Sequence, residues 1–327
     1  MKQKGNSIPQ TRILVTGGSG FLGSNLVAVL RNKHDVAYTF RGEKMAFRGA
    51  QGIFLDLHSS DGIERVVEQM RPHVIIHCAA LTDVDYCELH PDEVKKINVE
   101  ATRLLLHGGN RLDAHFIFVS TEAVYDGLKG NFREEDSPNP ANQYAQTKLN
   151  AEKVIQKEGE RWFIARTGFE GWRLNEKRGK PSFFEWLISK FENQKPFNVF
   201  EDRLFTPLSI YNFISILDEV IDRRIEGLFN VEGREAMSYL DFAEETARVF
   251  GYDSTLIRPI PMDSFSASAF RPKNTSLNID RILKRLKTPI LAGVREMLQE
   301  FKQIRDSGRL EHLRKELSEI VPQRMVT

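Results

Sequence analysis

The stretch ILVTGGSGFLG, residues 13–23, decides the fold of this chain. A short apolar run breaks into three glycines at G-x-x-G-x-x-G spacing, and a segment with a helical pattern follows from Phe21 to Leu30. A strand, a glycine turn and a helix bring backbone N–H groups and the positive end of a helix to one point, where a pyrophosphate can bind. The stretch therefore predicts a dinucleotide-binding unit near the start of the chain.

The sequence that follows predicts alternating strands and helices as far as residue 157. Strands are expected at 36–40, 53–55, 74–78 and 116–119, and helices at 61–70, 91–107 and 142–157, with Gly108-Gly109 as the stop of the second helix. Such alternation gives a parallel sheet with helices on both faces and right-handed crossovers. We therefore predict an α/β fold with a Rossmann-type doubly wound parallel sheet, whose ligands bind at the carboxyl ends of the strands.

The residue that ends the second strand bears on the choice of cofactor. Sites for NAD usually place an acid there, which accepts a hydrogen bond from the ribose 2′-hydroxyl. Here the strand ends Thr39-Phe40-Arg41, and a cation suits a 2′-phosphate instead. Glu43 lies close by and keeps NAD open. We predict that NADP(H) is favoured over NAD(H).

Other positions near strand ends have a structural and a functional interpretation. Asp56 follows a strand and is either an acceptor for the adenine amino group or a turn or cap residue. Cys78 is preferably a small core residue, although the small side chains of Cys78-Ala79-Ala80 would let a cofactor ribose approach the backbone. Asn98 lies inside a predicted helix, where Asn usually faces solvent or makes a local hydrogen bond, so a role in the site depends on its context.

Residues 116–148, FIFVSTEAVYDGLKGNFREEDSPNPANQYAQTK, supply the candidates for catalysis. Tyr144 and Lys148 share one face of the predicted helix because they lie four residues apart. A cation beside a phenol favours the phenolate, so we expect a lowered pKa and a phenol that serves as general acid or base. Thr121, or its neighbour Ser120, ends the preceding strand and could hold a carbonyl against the phenol. These groups can move a proton on or off an oxygen while another group moves a hydride.

The composition excludes several other classes of protein. The chain has 327 residues, and 46 basic residues balance 45 acidic ones, so neither nucleic-acid nor membrane-surface binding is expected. Cys78 and Cys87 form no disulfide framework and no metal-ligand spacing, and we predict no metal site. We expect neither a membrane span nor a secretory signal, and therefore a cytoplasmic protein.

The strict alternation weakens after Thr167, which predicts a second, smaller mixed α/β lobe. Helices are expected at 182–193, 210–221 and 239–250 and in a long charged tract at 291–320, and strands at 227–231 and 256–260. We expect residues 1–167 to form an NADP-binding domain, residues 168–327 to form a substrate-binding lobe with the C-terminal helices, and a segment at about 205–225 to return to the first domain. The cleft between the lobes would hold the active site, and the two lobes would share one core.

Several motifs together resemble the extended short-chain dehydrogenase/reductase family. They are TGGSGFLG at the first strand, HCAA at the fourth, STEAVYDG at the fifth and YAQTK on the helix. TDVDYCE, FREEDSPNP and SASAFRPKNTSLN are similar to the branch of nucleotide-sugar 4-ketoreductases typified by dTDP-4-dehydrorhamnose reductase. The chain is also similar to the regulatory subunit of methionine adenosyltransferase, including an Arg-Pro-x-Asn run at 271–274.

The resemblance implies a role for each matching residue. Thr121 would polarise the substrate carbonyl, Tyr144 would be the general acid, and Lys148 would bind the nicotinamide ribose and lower the pKa of the tyrosine. The cofactor-binding set would be Gly17, Ser19, Gly20, Phe21, Leu22, Gly23, Arg41, Asp56, Leu57, Cys78, Ala79, Ala80, Asn98, Tyr144 and Lys148. The substrate-binding set would be Thr82, Val84, Thr121, Glu122, Arg166, Arg203 and Arg271, with Arg166 or Arg271 facing the phosphates of a sugar nucleotide.

The sequence also departs from the branch at several positions. Glu122 replaces an Asp, Gly168-Phe169 replace Ser-Trp, and EDRLFTP replaces a glycine-containing segment. The segment 171–181 is unusually basic, and we interpret it as a mobile surface loop in preference to a phosphate clamp. These departures leave the exact sugar open.

The resemblance implies three alternative functions. The first is NADPH-dependent reduction of the 4-keto group of a nucleotide-linked deoxy sugar by a possible homodimer. The second is an NAD-dependent epimerase or dehydratase, although dehydratases carry an Asp-Glu pair where this chain has Glu122-Ala123. The third is a regulatory subunit that binds NADP without catalysis, since a fold does not imply a function.

Overall fold

The computed structural model describes residues 10–42, 45–176, 179–264, 269–290 and 293–318. The strands are β1 (Arg12–Thr16), β2 (Asp35–Phe40), β3 (Gln51–Phe54), β4 (Val74–His77), β5 (His115–Val119), β6 (Trp162–Arg166), β7 (Phe197–Phe200), β8 (Leu204–Phe205), β9 (Gly227–Asn230), β10 (Met237–Ser238) and β11 (Ile257–Ile260). The helices are α1 (Phe21–Leu30), α2 (Ser60–Met70), α3 (Val84–Leu89), α4 (Pro91–Lys95), α5 (Ala101–Asn110), α6 (Gln143–Glu158), α7 (Phe183–Glu192), α8 (Ile210–Arg223), α9 (Tyr239–Phe250), α10 (Asp280–Leu283), α11 (Val294–Asp306) and α12 (Arg309–Ser318).

Seven strands form one parallel sheet in the order β3-β2-β1-β4-β5-β6-β9. The chain first builds outward from β1 to β3 and then returns to place β4 on the other side of β1. This reversal is the switch point at which a doubly wound sheet opens a crevice for a ligand. The predicted fold class is therefore confirmed.

Alternating side chains of the central strands point into two different cores. On β1, Ile13 and Val15 join a core that includes α1 and α8, whereas Leu14 faces a second core with α2, α5 and α6. Side chains of consecutive strand residues point to opposite faces, and a parallel sheet covered on both faces needs apolar residues at every position. The continuous apolar run in the sequence is thus explained by burial on both sides.

The second lobe shares a core with the sheet instead of packing as a separate body. Asn25 on α1 donates a hydrogen bond to the backbone oxygen of Trp172 at 3.1 Å, and the indole of Trp172 donates to the backbone oxygen of Phe301 on α11 at 2.9 Å. Aromatic side chains fill the lobe, and the rings of Phe183 and Tyr239 stack with centroids 4.1 Å apart. Helix α8 packs against α1. The boundary at residue 167 between the two predicted domains stays a prediction.

Two of the predicted helix boundaries are wrong, and both involve glycine. The helix expected to stop at Gly108-Gly109 continues to Asn110, after a π-helical turn at Lys96–Glu100. A Cβ on Gly108 would lie 2.9 Å from Val67, so this glycine serves the close packing of α5 on α2. The charged tract at 291–320 is two helices, because Gly308 turns the chain with φ of 72°. Positions 291–292 and 319–320 of that tract lie outside the described residues.

No helix among the described residues is both long and apolar enough to cross a membrane.

The structure contains two further pairs of short strands. Strand β10 pairs antiparallel with β8, and β11 pairs parallel with β7. Strands β7, β8 and β10 were not predicted, whereas β11 lies within the predicted strand at 256–260. These pairs build the mixed α/β lobe that rises above one end of the large sheet.

The contact between Gly23 and the glycine turn leads to a stability prediction. A Cβ on Gly23 would lie 2.2 Å from the backbone oxygen of Gly17, whereas a Cβ on Gly20 would come no closer than 3.2 Å to the same atom. Gly23→Ala should therefore lower the free energy of unfolding by about 1–3 kcal/mol through overpacking, and Gly20→Ala by less. Urea unfolding of the two variants measures this difference, and equal losses would contradict the packing role of Gly23.

Candidate functional site

The glycine turn leads directly into helix α1, whose first backbone N–H groups can bind a ligand. Gly17 has φ of 69°, and the N–H of Gly18 donates to the backbone oxygen of Thr39 at 2.8 Å. Helix α1 starts after Gly20 without a side-chain cap, so the first N–H groups of the helix remain available. The neighbouring predicted cofactor residues Ser19 and Leu22 are buried, and Phe21 packs on Phe169, so they shape the turn. An anion such as a pyrophosphate fits this arrangement.

The ends of β2 and β3 bring a cation and a carboxylate together. Arg41 is exposed directly after β2, and Asp56 follows β3 within two residues, next to a half-buried Leu57. The backbone N–H of His58 donates to Asp56 at 3.0 Å, and this bond, the His58 side chain and the charge of Arg41 lower the pKa of the carboxyl group. Asp56 is therefore an ionised acceptor beside the turn. Glu43, which bears on the choice between NAD and NADP, lies outside the described residues.

Small residues line the crevice where β4 ends. Cys78, Ala79 and Ala80 are half-buried, and a Cβ on Gly17 would lie 2.9 Å from the Cα of Ala79. Burial raises the pKa of the Cys78 thiol to about 12, so this cysteine is not a thiolate nucleophile. The backbones of the turn and of the β4 end thus approach closely.

A buried hydrogen-bonded chain, which the sequence did not predict, starts at His77. Thr16 and Thr102 bind its two ring nitrogens, with distances of 2.6 Å to Nδ1 and 3.0 Å to Nε2. Burial lowers the pKa of His77 to about 3, so the imidazole is neutral. Because the hydroxyl of Thr102 donates to the backbone oxygen of Asn98, it can only accept from His77, which therefore carries its proton on Nε2. Thr16 then donates to Nδ1.

The same chain continues from Asn98 to the helix that carries Tyr144. The side chain of Asn98 exchanges hydrogen bonds of 2.9 and 3.0 Å with the backbone of Leu81 and donates to Thr147 at 3.1 Å. Thr147 in turn donates to the backbone oxygen of Tyr144 at 2.8 Å. Asn98 is only 2 % exposed, so it positions the β4 loop and α6 from inside the protein.

Thr121 and Tyr144 meet at the carboxyl end of β5. Thr121 caps the short helical turn at Glu122–Val124, and its hydroxyl donates to the carboxylate of Glu122 at 2.9 Å. The phenol of Tyr144 lies close to Thr121, whose side chain partly offsets the rise in the phenol pKa. The expectation of a lowered phenol pKa is wrong for this structure, because burial, followed by the charge of Glu122, raises the pKa of Tyr144. The phenol therefore keeps its proton at neutral pH.

Lys148 is buried below the phenol, on the same helical face. Its ammonium donates to the backbone oxygen of Val119 at 2.6 Å and lies 3.9 Å from the ring centroid of Phe118. Burial lowers the pKa of Lys148 to about 8. The ammonium is thus held at the end of β5 by a carbonyl and an aromatic face, without a carboxylate in direct contact.

Beyond Thr121 lies a cluster of acids that the sequence analysis identified only in part. We name Glu122, Glu170, Glu232, Arg203 and Tyr239 the acidic cluster. Burial raises the pKa of all three carboxyl groups, to about 7 for Glu170 and well above the usual range for Glu232. The guanidinium of Arg203 lies 4.5 Å from the ring centroid of Tyr239, and its Nε has no hydrogen-bond partner among the described residues. No motif pointed to Glu170 and Glu232, which only the fold brings here.

Arg166 is part of the scaffold, which corrects its expected place in the substrate-binding set. Its guanidinium makes a bidentate ion pair with Glu152, with distances of 2.6 to 3.1 Å, and donates to the hydroxyl of Tyr125 at 2.6 Å. Only 2 % of Arg166 is exposed. Ser120 donates to the same carboxylate of Glu152, so its hydroxyl is engaged away from the phenol. Thr121 is therefore the better placed of the two candidate hydroxyls.

The remaining predicted substrate residues lie along the rim of the cleft. Thr82 is exposed, and Val84 begins α3 after the cap residue Asp83. Arg271 forms an ion pair of 2.6 Å with Asp85, so a phosphate would have to compete with a carboxylate for it. In the basic segment at 171–181, Lys180 pairs with Asp83 at 2.7 Å, and positions 177–178 lie outside the described residues.

Comparisons with known proteins agree with this geometry. The family model described as RmlD substrate binding domain matches residues 11–303. The beta subunit of methionine adenosyltransferase 2 from Bos taurus is 31% identical over 309 residues, which cover 90% of this chain and 89% of that protein. Agl14 from Haloferax volcanii, a probable low-salt glycan biosynthesis reductase, is 30% identical over 275 residues and covers 82% and 90%. The structure of dTDP-4-dehydrorhamnose reductase from Bacillus anthracis with NADP has a TM-score of 0.79 and 24% identity, over 90% of this chain and 99% of that chain.

These similarities extend over almost all of the described residues and include both lobes. The motifs that carried the resemblance in the sequence occupy the turn, the β4 end, the β5 end and α6, where the strands of the sheet open the crevice. The predicted resemblance is confirmed. The chain belongs to the RmlD substrate binding domain family, and the relatives and solved structures similar to it include dTDP-4-dehydrorhamnose reductases.

Proposed function

We propose that the protein reduces the 4-keto group of a nucleotide-linked deoxy sugar with NADPH. The observation that carries this proposal is the proximity of Tyr144 to Thr121 at the carboxyl end of β5, on the same edge of the parallel sheet as the glycine turn. In this proposal the dinucleotide lies on residues 1–167 and the sugar nucleotide lies against residues 168–327. A hydroxyl that orients a carbonyl and a phenol that protonates it are the groups that a reductase needs.

When bound, NADPH supplies the hydride, and the residues of the chain manage the proton and the position of the ketone. Tyr144 donates its proton to the oxygen that develops negative charge, and its raised pKa keeps that proton on the phenol before reaction. Thr121 holds the same oxygen by a second hydrogen bond. Lys148 places a positive charge at the end of β5, which stabilises the tyrosinate that remains after the transfer.

The acidic cluster suggests where the phosphates of the substrate bind. Of the three arginines expected on the substrate side, Arg166 and Arg271 are paired with Glu152 and Asp85. Arg203 instead stacks on Tyr239 and has an unpartnered Nε among the described residues. A guanidinium that is held by an aromatic ring and lacks a bound carboxylate is well prepared for a phosphate. We therefore assign Arg203 to the pyrophosphate of the sugar nucleotide.

A second candidate function is a regulatory subunit that binds NADP. The similarity to the beta subunit of methionine adenosyltransferase 2, at 31% identity over 309 residues, favours it. A regulator needs the glycine turn but no proton donor at the β5 end. Turnover of keto sugars by the purified protein, with a pull-down for a synthetase partner alongside, separates the two functions.

Replacement of the phenol tests the proposed acid. Tyr144→Phe should lower kcat for NADPH oxidation with dTDP-4-keto-6-deoxy sugar by about 10²- to 10⁴-fold, because no other group donates the proton. Absorbance of NADPH follows the reaction. The control is Tyr252→Phe, which removes a hydroxyl that contacts Arg305 and Glu192, far along the chain from the crevice motifs, and should retain activity. An unchanged rate in Tyr144→Phe would remove this residue from the mechanism.

Replacement of Arg203 tests the assignment of the phosphates. Arg203→Met should raise the KM for the nucleotide sugar by roughly tenfold or more, which is the contribution of one charge-assisted contact, and should change the KM for NADPH little. Arg258→Met, at an exposed arginine on β11, is the matched control. Equal KM values for the sugar in wild type and Arg203→Met would contradict the assignment.

Replacement of Arg41 tests the preference for NADP. Arg41→Ala should raise the KM for NADPH by roughly tenfold or more and leave the KM for NADH nearly unchanged, since only NADPH carries a 2′-phosphate. Arg65→Ala on the exposed side of α2 serves as the control. Parallel steady-state kinetics with both cofactors provide the measurement, and a similar loss with NADH would rule out recognition of the 2′-phosphate.

A further inference from the structure

The hydroxyl of Thr121 has a single proton, and in the structure this proton is directed at Glu122. The Oγ1 atom of Thr121 lies 2.9 Å from a carboxylate oxygen of Glu122 and also accepts from the N–H of Ala123 at 3.2 Å. While Thr121 donates to an ionised Glu122, it has no proton left for a substrate carbonyl. The carboxylate would therefore compete with the ketone for the hydroxyl that is meant to hold it.

We propose that Glu122 is a positioning residue that works in its neutral form, donating a hydrogen bond to Thr121 and so turning the Thr121 proton toward the substrate carbonyl. The proposal rests on the proposed reductase function and adds a role for the residue that departs from the family pattern. Protonation reverses the direction of one hydrogen bond, and no covalent bond within the substrate is changed by Glu122. The hydride and the phenol proton go to the ketone as before.

The surroundings of Glu122 favour its neutral form. A Cβ on Gly168 would lie 3.4 Å from its Oε2, so the backbone after β6 closes one side of the carboxyl group. The charged and titratable groups that face it from the neighbouring elements are Glu170, Glu232, Arg203, Tyr239 and Tyr144. Of these five groups, the two carboxyl groups and the two phenols can carry only negative charge, and the guanidinium is the one that carries positive charge. Burial raises the pKa of Glu122, and the hydrogen bonds from its own backbone and from Thr121, followed by the charge of Arg203, oppose the rise only in part.

The direction of the shift fixes the expected pH dependence. A carboxyl group with a raised pKa is neutral below that pKa and becomes charged as the pH rises through it. If neutral Glu122 frees the hydroxyl of Thr121, kcat/KM should be high below the pKa of Glu122 and should fall above it. Lys148 also loses its charge as the pH rises, with a pKa of about 8, so we call alkaline fall only the part of the decrease that does not come from Lys148.

Glu122→Gln separates this role from a purely structural one, because its amide donates to Thr121 but cannot ionise. We expect this variant to keep kcat within about threefold of wild type at low pH and to lose the alkaline fall. Glu122→Leu, which donates nothing, should lower kcat by roughly tenfold while the KM for NADPH is unchanged. The matched control is Glu170→Gln, a buried carboxyl that accepts from the backbone N–H of Phe184 at 2.9 Å and should leave the alkaline fall in place. An alkaline fall that persists in Glu122→Gln, or vanishes in Glu170→Gln, would overturn the proposal.

Infrared difference spectra of the free protein test the same state without catalysis. At a pH below the alkaline fall, wild type minus Glu122→Gln should show the carbonyl stretch of a protonated carboxylic acid, and a spectrum without this band would overturn the proposal. If wild type reduces none of the keto sugars, the proposed function fails, and the spectra still decide whether Glu122 is neutral.

Discussion

The cleft depends on one buried imidazole that carries no charge. His77 lies at the centre of the sheet, accepts from Thr16 below the glycine turn and donates to Thr102 on α5. An imidazolium would also donate from Nδ1 and would leave the hydroxyl proton of Thr16 without its acceptor, so the network requires the neutral form. Burial supplies that condition by lowering the pKa to about 3. A dinucleotide turn and a proton donor are useful only at a fixed separation, and this chain of bonds ties α6 to the turn.

The protein handles buried charge in two different ways, and the difference separates the scaffold from the site. Glu152 and Arg166 form an ion pair with several hydrogen bonds at the end of β6. The acidic cluster has three carboxyl groups and one guanidinium, so full ionisation would leave uncompensated charge in a region of low polarity. There the raised pKa values restore neutrality through protons. The carboxyl groups of the acidic cluster can therefore exchange protons, whereas the ion pair of Glu152 and Arg166 holds the scaffold together.

The sequence predicted what depends on neighbours along the chain and missed what depends on contacts across it. The strand, turn and helix from β1 to α1 follow from local pattern, and α9 was predicted with its observed bounds because it ends at Gly251. The strands β7, β8 and β10 were missed because they are short, with four residues in β7 and two each in β8 and β10. In the site, Thr121, Tyr144 and Lys148 belong to one continuous segment and were found together. Glu232 and the pairing of Arg166 depend on the tertiary fold, so no motif could indicate them.

The position of the buried acids, which oppose folding, bears on whether this protein is an enzyme. Binding a dinucleotide needs the glycine turn and the small residues at the end of β4, and these are relaxed, well-packed features. Burying Glu232 with an unpartnered carboxylate oxygen, next to Glu122 and Glu170, opposes folding. A protein that only bound the cofactor would gain nothing from that arrangement, because the acids lie near Thr121 and Tyr144. Departures from stable packing are expected where function demands them. Their place beside Tyr144, and not beside the turn, favours a protein that transfers a proton to its ligand.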